Sequence, residues 1–148
     1  MPKSLSPEEQ QCEAHFKNTT TRDQFGRFIV NIPLSSSPKV LGESKQNALK
    51  QFLSLEKRLQ SNRHFKSMYI DFMQEYEDMG HMKVSVEPSQ HAIEYFIPHH
   101  GVYKADSPTT KLRVVFNSSC PTSNGISLND IQLNGTMVPH CKTISFLF

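Results

Sequence analysis

The chain has no tryptophan, six glycines and three cysteines in 148 residues, and its hydrophobic share is 36%. Three cysteines, Cys12, Cys120 and Cys141, are too few, odd in number and too scattered for a disulfide framework, and no C-x-x-C pair offers a zinc site. No run approaches the roughly 18 apolar residues of a membrane span. The start, Met1-Pro2-Lys3-Ser4-Leu5-Ser6, lacks the apolar core of a secretory signal. These absences lead to an expected soluble, intracellular and by default cytoplasmic protein, with no membrane partner. On that compartment logic the sequons at Asn18, Asn117 and Asn134 are chance matches. Charge of one sign is also missing: 16 Lys and Arg against 14 Asp and Glu leave +2, which argues for neither nucleic acid nor membrane. There is no G-x-S-x-G, no glycine-rich phosphate loop and no evident carboxylate pair. The apolar share is low against the roughly 45–50% of globular domains, so the core is expected to be thin.

What is present has clear local order. Ser6-Pro7-Glu8-Glu9 is a helix start, with Ser6 as N-cap, Pro7 in the first turn and Glu9 closing a capping box, and the helix is predicted to run to about Lys17. Thr19–Arg22 and Arg27–Ile32 flank Asp23-Gln24-Phe25-Gly26 as a predicted hairpin, which the stretch from Pro33 to Pro38 ends. Ala48, Phe52, Leu55 and Leu59 then form an amphipathic stripe. A second stripe, Phe65, Met68, Tyr69, Phe72, Tyr76 and Met79, runs from about Asn62 to Gly80, a natural C′ residue. Two helices joined near Ser61-Asn62 are predicted. Period-two segments follow at Met82–Val86, Tyr95–Ile97, Gly101–Tyr103 and Lys111–Phe116, broken by Pro88, Pro98 and Pro108. The predicted class is α+β, a helical pair followed by a small antiparallel sheet. The apolar end Ile144-Ser145-Phe146-Leu147-Phe148 calls for something further along the chain to pack against, and a truncated domain is expected.

The near-zero charge hides a dipole. Residues 39–66 carry seven basic and two acidic residues, a net of +5, while residues 67–94 carry one basic and six acidic, a net of −5. Two solvated helix faces attracting each other account for this more simply than a nucleic-acid track. Seven histidines invite a metal or acid-base reading, but His99 and His100, adjacent on a strand, point to opposite faces, and a nuclease-like set with Asp106 and Asn117 lacks ligand-spaced partners. Cys12 shares a helix face with His15, yet nothing activates it. The stretch Lys104–Phe116 reads as a basic strand, a polar turn and a second basic strand. Lys111 and Arg113 project on one face, and Lys104 lies close by. Such a hairpin suits phosphates, with Arg as a fork and Lys as a point charge, although a solvated basic face is the commoner meaning.

Lys111-Leu112-Arg113-Val114-Val115-Phe116-Asn117, followed by Gly125-Ile126-Ser127-Leu128-Asn129-Asp130, resembles the start of the reverse transcriptase in BEL/Pao-type LTR retrotransposon Pol polyproteins. Upstream, Glu9-Gln10-Gln11-Cys12-Glu13, Thr19-Thr20-Thr21-Arg22-Asp23, Gly26-Arg27-Phe28, Leu41-Gly42-Glu43-Ser44 and Leu53–Leu59 resemble that family's protease-to-polymerase linker. Tyr76–Met82 and Ile97–Val102 resemble its first fingers elements, so the likeness runs co-linearly from about Leu5 to Leu133.

The resemblance implies a partial fingers subdomain. Its parts would be a linker over 1–43, the helical pair over 44–80, partial fingers over 81–133 and a degenerate or truncated tail over 134–148. It implies an ancestral role in RNA-templated DNA synthesis, with Arg113, and Lys111 or Lys104 beside it, contacting the nucleotide triphosphate. Template-primer and dNTP are the implied partners. The two Mg²⁺ ions belong to the complete polymerase, on palm carboxylates that this stretch lacks, so no catalytic residue, metal or cofactor is assigned to the chain and no polymerisation is expected of it alone. Two departures, Asn117 in place of the usual Asp and Thr136–Lys142 in place of the usual helix start, suggest a decayed copy. The alternatives are a nucleic-acid-binding remnant using residues 39–66 and the hairpin, and an inactive expressed pseudogene product.

Overall fold

The computed structural model describes residues 5–85, 93–133 and 135. Helix α1, Pro7–Thr19, begins as its sequence requires: the Glu9 N–H donates to Ser6 Oγ at 3.2 Å and the Ser6 N–H donates to the Glu9 carboxylate at 2.7 Å. Two-residue strands β1, Thr21–Arg22, and β2, Phe28–Ile29, pair antiparallel. Their turn is built by Asp23, whose Oδ1 accepts from the Phe25 and Arg27 N–H groups at 2.8 and 2.9 Å, and by Gly26, which supplies φ +81°.

Helices α2, Lys45–Ser61, and α3, Arg63–Asp78, meet at Asn62, which ends the first and caps the second by accepting the Phe65 N–H at 3.0 Å. Gly80, at φ +73°, closes α3 in a Schellman motif: its N–H donates to Glu77 O at 2.8 Å, and the His81 N–H donates to Tyr76 O at 3.0 Å. Strands β3, His99–Tyr103, and β4, Leu112–Phe116, pair antiparallel with Val102 opposite Arg113 and Gly101 opposite Val114. One face of this ladder rests on the helices. The core is small: Leu55 of α2, Phe65 and Tyr69 of α3 and Leu112 of β4 are buried, with Leu59, Met68, Met73 and Val114 around them. At Gly101 the strand lies close against α3, because a Cβ there would stand 2.6 Å from Phe65 Cζ.

The fold is α+β, with two small antiparallel sheets of two strands each. Two of the expected strands are corrected. Residues 82–85 form no strand, and Val86 lies outside the described residues. Tyr95–Ile97 forms none either, because its anchors are side chains: the Phe96 N–H donates to the buried Ser44 Oγ at 2.9 Å, and Tyr95 Oη donates to Cys120 O at 3.0 Å. The apolar end, Cys141 and Asn134 also lie outside the described residues.

The segment before α2 is tied to the loop after β4. Leu34 bridges Gln132, the Ser35 N–H donates to Ile131 O at 2.8 Å, and Asn124 Nδ2 donates to Val40 O at 2.7 Å. The Gly42 N–H donates to Thr122 Oγ1 at 3.0 Å, and the Ser123 and Glu43 backbones are joined at 2.8 Å. Short 3-10 turns at Pro38–Val40 and Asn129–Ile131 shape the two sides. No helix among the described residues is long and apolar enough to cross a membrane.

Candidate functional site

Cross-strand partners in an antiparallel ladder share a face, and faces alternate along each strand. The register therefore sorts the hairpin into two sets. His99, Gly101 and Tyr103 with Leu112, Val114 and Phe116 face the helices, while His100 and Val102 with Arg113 and Val115 face outward. The Lys104 N–H donates to Lys111 O at 2.8 Å, which carries the pairing one step past the strands and puts both lysines on the outward face. Lys104, Lys111 and Arg113 are all exposed, and among the described residues none has an ion-pair partner. Opposite side chains stand about 5 Å apart at Cβ and alternate ones about 7 Å. At such spacing in water each like-charge pair costs about 0.6 kcal/mol, which a shared anion would relieve. The turn that holds them is short, with the Ser107 N–H donating to Lys104 O at 3.3 Å.

A second feature lies beside the hairpin. Lys50, Gln51, Ser54, Leu55 and Arg58 of α2 and the paired His99 and His100 of β3 line a groove of about 420 Å³. Arg58 is fixed in its wall: Nη1 donates to Gly101 O at 3.3 Å, and the guanidinium lies 4.2 Å over the Phe65 ring. His99 is held from behind by Tyr69 Oη at its Nδ1. Burial pushes the Tyr69 phenol up to about 12, and burial, then the neighbouring His100, pulls His99 below its ordinary value. Both groups are therefore neutral near pH 7, and their hydrogen bond leaves Nε2 as the ring nitrogen open to another partner. His99 is half-buried and His100 exposed, on opposite faces of the strand.

The remaining candidates are not brought together. Asp106 sits in the hairpin turn and Asn117 at the far end of the ladder, where its N–H donates to Pro98 O at 2.8 Å and its Oδ1 accepts the Ser119 N–H at 3.1 Å. Among the described residues no three His, Cys, Asp or Glu side chains group so as to hold a metal ion. The Cys12 thiol is pushed up by burial and by Glu8, Glu13 and Glu9, the reverse of activation. Cys120 is buried and accepts from Gln51 Nε2 at 3.0 Å.

Lys50 and Arg58 had been legible only as members of a basic segment. Their spacing of eight with Ser54 midway, which puts all three on one helix face, is the signal that singles them out. Comparison of the chain with protein-family models, with curated proteins and with solved structures finds no match.

Proposed function

We propose that this chain is part of an RNA-directed DNA polymerase of the BEL/Pao type and that it contributes a phosphate-binding surface rather than reacting groups. The observation that carries the reading is the outward face of the β3–β4 hairpin, where Lys104, Lys111 and Arg113 stand together, exposed and without ion-pair partners among the described residues. The co-linear motifs support it from the sequence side. In this reading Arg113 grips two phosphate oxygens of a nucleotide triphosphate or template, and the two lysines neutralise the remaining charge. Holding and neutralising a phosphate chain is what a polymerase asks of its fingers. A binding module without enzymatic activity is the second reading, favoured by the separate basic groove along α2.

The test is binding of the purified chain to a labelled RNA–DNA template-primer across a salt series, for wild type and for Lys111→Ala with Arg113→Ala. Two lost phosphate contacts should lower the slope of log K against log salt by about 1.8. Competition by dNTP, weakened in the double variant, is expected if the hairpin holds the triphosphate. An unchanged affinity and slope would exclude the hairpin as the contact.

A further inference from the structure

We infer that the groove between α2 and β3 is a second phosphate site, separate from the hairpin's outward face, and this inference rests on the nucleic-acid reading above. Lys50 and Arg58, eight residues apart on one face of α2, stand about 12 Å apart along the helix axis, with Ser54 midway. Across from them is β3, whose inner His99 faces α2 and whose outward-facing His100 borders the groove at its rim. Among the described residues no carboxylate lines the groove. On the α2 wall the Lys50 ammonium, the Ser54 hydroxyl and the Arg58 guanidinium supply hydrogen-bond donors, which is the chemistry an anion selects. Because Tyr69 occupies Nδ1 of His99, Nε2 is the ring nitrogen left for a ligand. Arg58 is preorganised by its bond to Gly101 O and its stacking on Phe65, so little side-chain freedom is lost when an anion arrives. At about 420 Å³ the groove is of the size that takes a nucleotide unit rather than a lone ion. Its ligand is a phosphate group, either in the backbone of a single strand or in a free polyphosphate.

The experiment uses the full 148-residue chain with two probes, a labelled single-stranded RNA and inorganic tripolyphosphate. Wild type is compared with Lys50→Ala/Ser54→Ala, both exposed positions on α2, and with Lys111→Ala/Arg113→Ala, with circular dichroism and melting to show that each variant is folded. The groove variant should bind RNA roughly two- to fivefold more weakly, and its salt slope should fall by about 0.7, the share of one lysine–phosphate contact. Weaker tripolyphosphate binding with unchanged RNA binding would assign the groove to free polyphosphate. Unchanged binding of both probes by a folded groove variant overturns the inference. If that happens while the hairpin variant loses affinity, the hairpin reading stands without the groove. If only the groove variant loses affinity, the hairpin reading falls instead.

Discussion

Adding one methyl group at Gly101 tests how the hairpin is mounted on the helices. The glycine is not among those with positive φ, so alanine brings no backbone strain, and the effect is steric. The new Cβ would stand 2.6 Å from Phe65 Cζ and 3.0 Å from both Phe65 Cε2 and Leu112 Cδ1. Neither neighbour yields easily. Phe65 and Leu112 are 3% and 6% exposed, and Phe65 is packed between the Arg58 guanidinium at 4.2 Å and the Tyr69 ring at 5.9 Å. Overpacking of this kind costs about 1–3 kcal/mol, from which the loss of glycine's unfolded-state freedom recovers about 0.4–1. The difference spans about 0–2.6 kcal/mol, and a 2.6 Å approach to a ring held on both sides puts the expected destabilisation toward the upper part, about 1–2 kcal/mol. Urea unfolding should show it as a lower midpoint at constant slope, and thermal melting as a fall of roughly 2–8 °C. Phe65→Leu, which withdraws the ring atoms that clash, should make the double variant more stable than the sum of the single effects by about 0.5 kcal/mol or more. If Gly101→Ala is as stable as wild type or more so, the close seat of β3 on Phe65 is refuted.

Other perturbations reach different parts of the fold. Because His99 lies below its ordinary value of 6.5, the unfolded chain binds the proton first. Its contribution to stability is whole above pH 6.5 and is lost as pH falls from there through the folded value. Urea midpoints between pH 7 and 5 should therefore slope less in His99→Gln, and an equal slope would remove His99 as the cause. Tyr95 Oη donates to Cys120 O and accepts the Leu128 N–H at 3.1 Å, so Tyr95→Phe should cost about 1–3 kcal/mol in the same assay. A Cβ at Gly42 would fall against Ser123 Oγ and 2.9 Å from Asn124 N. Gly42→Ala should cost about 1–3 kcal/mol, and hydrogen exchange should report early opening of residues 33–44. Asn117→Asp keeps the oxygen that accepts the Ser119 N–H and should stay within about 0.5 kcal/mol of wild type, whereas Asn117→Ala should lose about 1 kcal/mol.

Helical order was legible because its signals are local. Ser6, Glu9, Asn62 and Gly80 each satisfy backbone groups within one turn of their own position; the capping box and the Gly80 C′ are those the sequence predicts, while at Asn62 it predicts the junction and the structure adds the cap. The hairpins were legible for the same reason, through Asp23-Gln24-Phe25-Gly26 and the short turn at Lys104–Ser107. The two strands that did not form, over 82–85 and 95–97, show the limit of alternation as a signal. Period two describes an extended chain but does not say what receives its N–H groups, and that of Phe96 goes to Ser44, 52 residues away. The joining of residues 33–44 to 117–133 was invisible for a related reason. It runs through bonds between the Thr122, Ser123 and Asn124 side chains and the backbone of Val40, Gly42 and Glu43, which have no periodicity. The motifs Leu41-Gly42-Glu43-Ser44 and Gly125–Asp130 are thereby given a structural meaning, since they lie on the two sides of one polar junction.

The charge dipole takes a different sense once the helices are in place. If the +5 and −5 segments served to hold α2 against α3, ion pairs should bridge them, yet among the described residues none does. The contact between the helices is made by Leu55, Leu59, Phe65, Met68 and Tyr69. The cations of α2 are therefore not paired with the carboxylates of α3: Arg58 is held by Gly101 O and the Phe65 ring, and it lines the β3 groove together with Lys50. The hairpin adds its three cations on the ladder face that turns away from the helices. The acidic residues of residues 67–94 include Asp71, Glu75, Glu77 and Asp78 on α3, and none of these carboxylates lines the α2–β3 groove. A chain whose total charge is only +2 thus keeps a local field of one sign along the groove. Local separation of charge, not its total, is what gives this fold a cationic surface, and the proposed phosphate contacts rest on that separation.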